Sequence, residues 1–182
     1  MKASEEERFR DLAAASLPWL TRTATALTGD AHRGDDLVQE ALVKAYVHWR
    51  KVRSADNPPA YLRRILVRCH LDAARAASRR ETPSGHQLAG SHHHPGLTEP
   101  MAHDSHGQLE DRLPLLAALG NLTAKQRAVI VLRFIDDLDV ATTATTLDIS
   151  PSTVKSTTHD ALRILRTQLT ETQTDAPTWR ER

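Results

Sequence analysis

The sequence predicts an all-α chain of two small helical domains joined by a flexible linker. Three observations carry that prediction. Apolar residues recur at three- and four-residue steps through residues 5–80, and again from Leu109 onward. Between these units, residues 81–108 show neither a helical nor a strand period. They hold no Lys or Arg, but three prolines, four glycines and six histidines. Aromatic residues make up only 4% of the chain, which favours small bundles over one large core. The expected boundaries are 5–80, 81–108, 109–170 and a polar tail, 171–182.

The first predicted helix spans residues 5–27, with Phe9, Leu12, Ala13, Leu17, Leu20, Ala24 and Leu27 on one stripe and a bend expected at Pro18. Gly29 stops it and Asp30 caps the next. That second helix, Ala31–Arg50, carries Leu37, Val38, Ala41, Leu42, Ala45 and Trp49 on its apolar face. Its other faces hold Asp35, Asp36, Gln39, Glu40 and Lys44. A loop over Lys51–Asn57 follows, and Asn57-Pro58-Pro59 is a helix start. The third helix, Ala60–Arg80, is expected to bury Tyr61, Leu62, Ile65, Leu66, Cys69 and Ala73.

In the second unit, Leu109, Leu113, Leu116 and Leu119 form a stripe that ends at Gly120-Asn121. Thr123 and Gln126 have capping-box spacing for a helix over Ala124–Ile135. Then comes LDVATTATTLDISPSTVKSTTHDALRILR, residues 138–166. Asp139 can cap a short helix ending at Leu147. Asp148-Ile149-Ser150 can turn the corner, since Asp tolerates a left-handed backbone. Ser150 and Pro151 suit the start of the next helix. That helix places Val154, Thr158, Ala161, Leu162 and Leu165 on one side. Ser152, Ser156, His159 and Arg163 fall on the other, with Lys155 at the border. Such a helix-turn-helix suits the DNA major groove; an ordinary amphipathic hairpin has the same period.

Net charge is only +1, so any attraction to nucleic acid must be local. It is local: Arg50, Lys51, Arg53, Arg63, Arg64, Arg68, Arg75, Arg79 and Arg80 are opposed only by Asp56 and Asp72. This strip suits a phosphate backbone, or is a solvated Arg-rich face. The single Cys69 excludes an internal disulfide and a multi-cysteine zinc site, and is consistent with a cytoplasmic location. The N-terminus lacks the apolar run of a signal peptide, and no stretch approaches the ~20 apolar residues of a membrane span. His92, His93, His94, His103 and His106 invite a metal, but no rigid frame is visible, so neither metal nor cofactor is expected. No constellation of nucleophile, base and orienting acid stands out, so no catalytic residue is expected either.

Four stretches in order carry a family resemblance: LTGDAHRGDDLVQEALVKAYVHW (27–49), PPAYLRRILVRCHLDAAR (58–75), LGNLTAKQRAVIVLRF (119–134) and TVKSTTHDALRILR (153–166). Together they resemble the extracytoplasmic-function (group 4) RNA polymerase sigma factors, nearest the actinobacterial sigma-E-like type. The resemblance implies an alternative sigma factor that binds core RNA polymerase and directs it to a promoter with −10 and −35 elements. The first unit then corresponds to the sigma-2 domain, docking on the β′ coiled coil through Asp36, Leu37, Gln39, Glu40 and Lys44. Its −10 contacts would come from Arg53, Ser54, Asp56 and Asn57 in and beside the base-capturing loop, and from Arg63, Arg64 and Arg68 on the following helix. The second unit corresponds to the sigma-4 domain, touching the β flap and reading the −35 element with Ser152, Thr153, Lys155, Ser156, His159 and Arg163. An anti-sigma factor is a further candidate partner, because many relatives have one.

The chain departs from the family's usual residues at several places. Arg68 stands for a frequent Asn, Asp148 for the turn glycine, Thr143 for a buried Ile, Thr158 for a Leu and Asp160 for an Arg. Two hydroxyls thereby enter apolar stripes, where an unsatisfied one costs about 1–3 kcal/mol unless it bonds its own helix. Two other functions compete with a sigma factor. A stand-alone helix-turn-helix regulator would leave the docking motif of the second helix and the basic strip unexplained. A metal-responsive scaffold would rest on the linker histidines.

Overall fold

In a computed structural model of the chain, residues 3–80 and 117–174 are described. Every regular element among them is helical. The linker 81–108, its histidines, the start of the stripe at Leu109 and most of the polar tail lie outside the described residues.

The first unit has four helices: α1 (Ala3–Thr28), α2 (Ala31–Val47), α3 (Trp49–Arg53) and α4 (Pro58–Arg80). Gly29, at φ 75°, turns the chain, and Asp30 caps α2 by accepting from the Arg33 N–H. α2 runs back along α1. At their contact Gly34 lies against Thr25, where a Cβ would meet the Thr25 backbone N at 3.0 Å and its Cα at 3.1 Å. The expected long second helix breaks at His48, whose φ of −101° and ψ of 22° let Trp49 and Val52 turn inward on α3. The loop is correspondingly shorter than the sequence suggests. Asn57 Oδ1 accepts from the Ala60 N–H, opening α4 with its prolines in the first turn.

The core of this unit joins Leu20, Ala24 and Leu27 of α1 to Leu37, Val38, Ala41 and Ala45 of α2 and to Leu62, Leu66 and Val67 of α4. Two expectations fail on the stripes. Leu17 is half exposed while Ser16 and Thr23 are buried, and Ala73 is exposed while Val67 and His70 are buried. In each case the stripe drifts around the helix, as 3.6-residue geometry requires of a long run.

In the second unit, residues 117–120 are helical. The capping box at Thr123–Gln126 then starts α5 (Ala124–Ile130), which continues as a π-helical turn over Val131–Ile135. Next come α6 (Val140–Leu147) and α7 (Pro151–Thr174). The wider π turn, closed by the Asp136 N–H on the Val131 carbonyl at 3.0 Å, leads the chain to Asp137 at φ 51°. Arg127 satisfies the helix end before it, donating to the Leu119, Gly120 and Leu122 carbonyls.

The two units share a core. Ala128, Val131 and Leu132 belong to the first unit's apolar cluster, with Ile135, Leu138 and Leu147 packed against it. Arg127 also reaches across to donate to the Leu27 carbonyl at 3.0 Å.

Candidate nucleic-acid and polymerase interface

The helix-turn-helix has the local chemistry its sequence foretold. Asp139 caps α6 by accepting from the Thr142 N–H at 2.6 Å, and that bond, with a second from the Thr142 side chain, holds its carboxyl below the usual range. Asp148 takes the left-handed corner at φ 56° and ψ 49°. Ser150 Oγ accepts from the Thr153 N–H at 3.1 Å and so caps α7. Both intruding hydroxyls bond their own helices: Thr143 Oγ1 donates to the Asp139 carbonyl at 2.8 Å, and Thr158 Oγ1 to the Val154 carbonyl at 2.7 Å. Neither departure therefore leaves an orphan donor in the core.

Val154, Ala161 and Leu165 seat α7. Ser152, Lys155, Ser156, His159 and Arg163 are exposed together on its free side, and Thr153 is half-buried beside them. Asp160 is exposed near the same face and contributes the opposing charge. Among these, Ser156 Oγ donates to the Thr153 carbonyl at 3.1 Å, a bond a base edge would have to replace.

On α2, Asp36, Gln39, Glu40 and Lys44 are exposed. Glu40 and Lys44 form a 2.7 Å ion pair one turn apart, which raises the Lys44 pKa. Leu37 does not join them. It is 7% exposed and packed in the core, so it is not part of the exposed docking face to which the resemblance assigned it. The helical period of α2 points Leu37 inward with Val38 and Ala41; a partner can reach only the residues on either side of it. Val43, Tyr46 and Val47 extend the exposed side of α2 with apolar surface that the motif did not single out.

The −10 candidates divide. Arg64 and Arg68 are exposed on α4, and Ser54 and Asp56 are exposed in the loop. Arg53 pairs with Glu5 at 3.2 Å. Asn57 is exposed, but its carbonyl oxygen is occupied as the cap of α4. Arg63 is drawn into the contact between the units. Its Nε donates to Asp136 Oδ2 at 2.9 Å, and its guanidinium lies 4.6 Å above the Trp19 ring. The other Asp136 oxygen accepts from Thr23 Oγ1 at 2.6 Å, and the carboxylate is fully buried. Arg64, one residue on, lines an open groove with Ala144, Thr145, Asp148, Ile149 and Ser150 of the helix-turn-helix. Asp136, Thr23, Trp19, Arg127 and His70 were not foreseen. Asp136 lies 113 residues from Thr23 and 73 from Arg63, and nothing local in the sequence marks such a pairing.

No helix among the described residues is long and apolar enough to cross a membrane. Comparison with known proteins agrees with the geometry. Residues 12–80 match the family described as sigma-70 region 2, and residues 112–165 the one described as sigma-70, region 4. An RNA polymerase sigma-E factor of Streptomyces antibioticus is 32% identical over 176 residues, covering 97% of this chain and 92% of the relative. The ECF RNA polymerase sigma factor SigL of Mycobacterium tuberculosis is 34% identical over 170 residues, 93% of each chain. Among solved structures, the sigma factor RpoE of Bartonella quintana, crystallised with the anti-sigma factor NepR, superposes with a TM-score of 0.66 at 24% identity. That match covers 90% of this chain and 98% of the other. The chain belongs to the extracytoplasmic-function sigma factors of the sigma-70 family.

Proposed function

We propose that this alternative sigma factor divides promoter recognition and polymerase docking among three faces. Asp36, Gln39, Glu40 and Lys44 on α2 meet core RNA polymerase at the β′ coiled coil. The loop through Ser54, Asp56 and Asn57, with Arg53 before it and Arg63, Arg64 and Arg68 after it, engages the −10 element. α7 enters the −35 major groove, and the rest of the second unit meets the β flap. The sigma-2 assignment covers residues 5–80 and the sigma-4 assignment residues 109–170, with 81–108 as the tether between them and 171–182 as a tail. The polymerase supplies the chemistry, so no residue of this chain is assigned a catalytic role. It would work in the cytoplasm beside the polymerase, and an anti-sigma factor is a further candidate partner.

The observation that carries this reading is the exposed row Ser152, Lys155, Ser156, His159 and Arg163, projecting from a fully capped helix-turn-helix. Short hydroxyls near the helix start can reach base edges, whereas Lys155 at the border meets a phosphate. Binding of holoenzyme to a −35 variant library at several salt concentrations tests it. Lys155→Ala should weaken binding across all sequences and reduce the salt slope by about one. Ser156→Ala should change the preference at one or two −35 positions. If neither substitution alters affinity, preference or salt slope, α7 is not the reader.

A further inference from the structure

Hydroxyls meet at the start of α7 and share too few protons to act independently. Ser150 Oγ stands 2.8 Å from Ser152 Oγ and 2.7 Å from Thr153 Oγ1, and it also accepts from the Thr153 N–H at 3.1 Å. A serine hydroxyl has two acceptor lone pairs and one proton. The Thr153 N–H takes one lone pair. One lone pair and one proton then remain for two hydroxyl neighbours, so Ser150 accepts from one of them and donates to the other. The neighbour that donates to Ser150 has only lone pairs left for a partner outside. The neighbour that accepts keeps its own proton free. Whichever arrangement holds, Ser152 and Thr153 cannot both present a donor. Ser156 adds to the imbalance. Its Oγ donates to the Thr153 carbonyl at 3.1 Å, so it too offers lone pairs. Ser152, Thr153 and Ser156 together therefore have one uncommitted proton.

DNA groups answer to that polarity. Phosphate oxygens, guanine O6 and N7, and thymine O4 only accept, and each needs a proton from the protein. The exocyclic amines, N6 of adenine and N4 of cytosine, donate, and each needs a lone pair. We infer that Ser150 is a positioning residue for −35 recognition: through the shared proton it sets Ser152 and Thr153 to opposite hydrogen-bond polarity, which turns the start of α7 toward adenine or cytosine amines on the strand it faces. A guanine edge there, with O6 and N7 side by side, would ask for two protons where one is on hand. Ser150 acts through its neighbours and touches no base in this role. The inference rests on the proposed reading of the −35 element by α7.

The test is holoenzyme binding to a −35 duplex library that carries each base pair in both orientations, with preference read as a ratio of affinities. Ser152→Ala and Thr153→Val locate the base pairs beneath the two hydroxyls. At one of these the parent should favour the orientation that presents an amine, by roughly five-fold. Ser150→Gly keeps a serviceable cap but removes the shared proton, so both hydroxyls turn freely and the ratio should fall to about two-fold or less. Ser150→Asp is a full cap with acceptor oxygens only. Both neighbours must then donate to it, so the amine preference should hold or rise while the added charge weakens binding to every duplex alike. Circular dichroism checks that α7 stays helical in both variants. A residue that only caps the helix would change affinity uniformly and leave the parent's ratios intact in both variants. That result overturns the inference, as does a parent preference for guanine at these positions, or a library in which no base pair responds to Ser152→Ala or Thr153→Val. If Lys155→Ala and Ser156→Ala still change salt slope and preference, the reading by α7 survives that failure; if they are silent as well, both fall.

Discussion

His70 sits where α4 meets the start of α5, 9% exposed, with its Nε2 lacking a hydrogen-bond partner among the described residues. Burial, reinforced by the nearby Arg127 guanidinium, lowers its pKa from 6.5 to about 4; a bond to the Ala124 backbone offsets this only in part. The folded state therefore requires a neutral imidazole. Its pKa is depressed on folding, so the unfolded chain takes up the proton first, and stability is lost as pH falls from 6.5 toward 4. Between about pH 7.5 and about pH 5 this single group should remove about 2 kcal/mol. Urea unfolding at the two pH values checks it against His70→Leu, which should abolish that part of the dependence; an equal loss in the variant would assign it elsewhere. Leu37 shows what was legible at this scale. Its helical period already placed it on the apolar face, and the motif match placed it on the docking face. The structure sides with the period, because a side chain at that angle on α2 has nowhere to go but the core.

At the scale of elements, the caps were the most legible features. Asp30, Asn57, Thr123, Asp139 and Ser150 all accept from backbone N–H groups near the starts of their helices. Capping is local chemistry, written in a few consecutive residues. Helix breaks were less so. The junction at His48 and the π turn at Val131–Ile135 respond to packing from distant elements, and neither has a proline or glycine to announce it. Nor was the close approach of α1 and α2 visible, although Gly34 is its requirement. A methyl group there would stand 2.9 Å from Thr25 Oγ1 and about as close to its backbone, which cannot swing aside. Gly34→Ala gains about 1 kcal/mol of helix propensity but forces the helices apart at a cost of about 1–3 kcal/mol. The expected outcome is a net loss of roughly 1 kcal/mol, seen as a lower denaturation midpoint with unchanged slope. A stabilised variant would show that α1 and α2 have room to separate.

For the whole molecule, the division into two units was legible from composition, and their union was not. The linker's loss of periodicity and of Lys and Arg announced a boundary. The apolar residues that cross the contact, Ala128, Val131 and Leu132, look in the sequence like an ordinary stripe for their own unit. That sharing has a thermodynamic consequence. If each unit had a private core, a cavity in one would leave the other's unfolding untouched. Leu132 instead packs in the cluster built from α1, α2 and α4, at 0% exposure. Leu132→Ala should therefore cost about 2–5 kcal/mol and lower the stability of both units together. Calorimetry on the full chain should show a single transition in the parent, moving down as one peak in the variant. A second peak that stays at the parent temperature would mean the units fold independently, and that the closed contact adds too little to couple them.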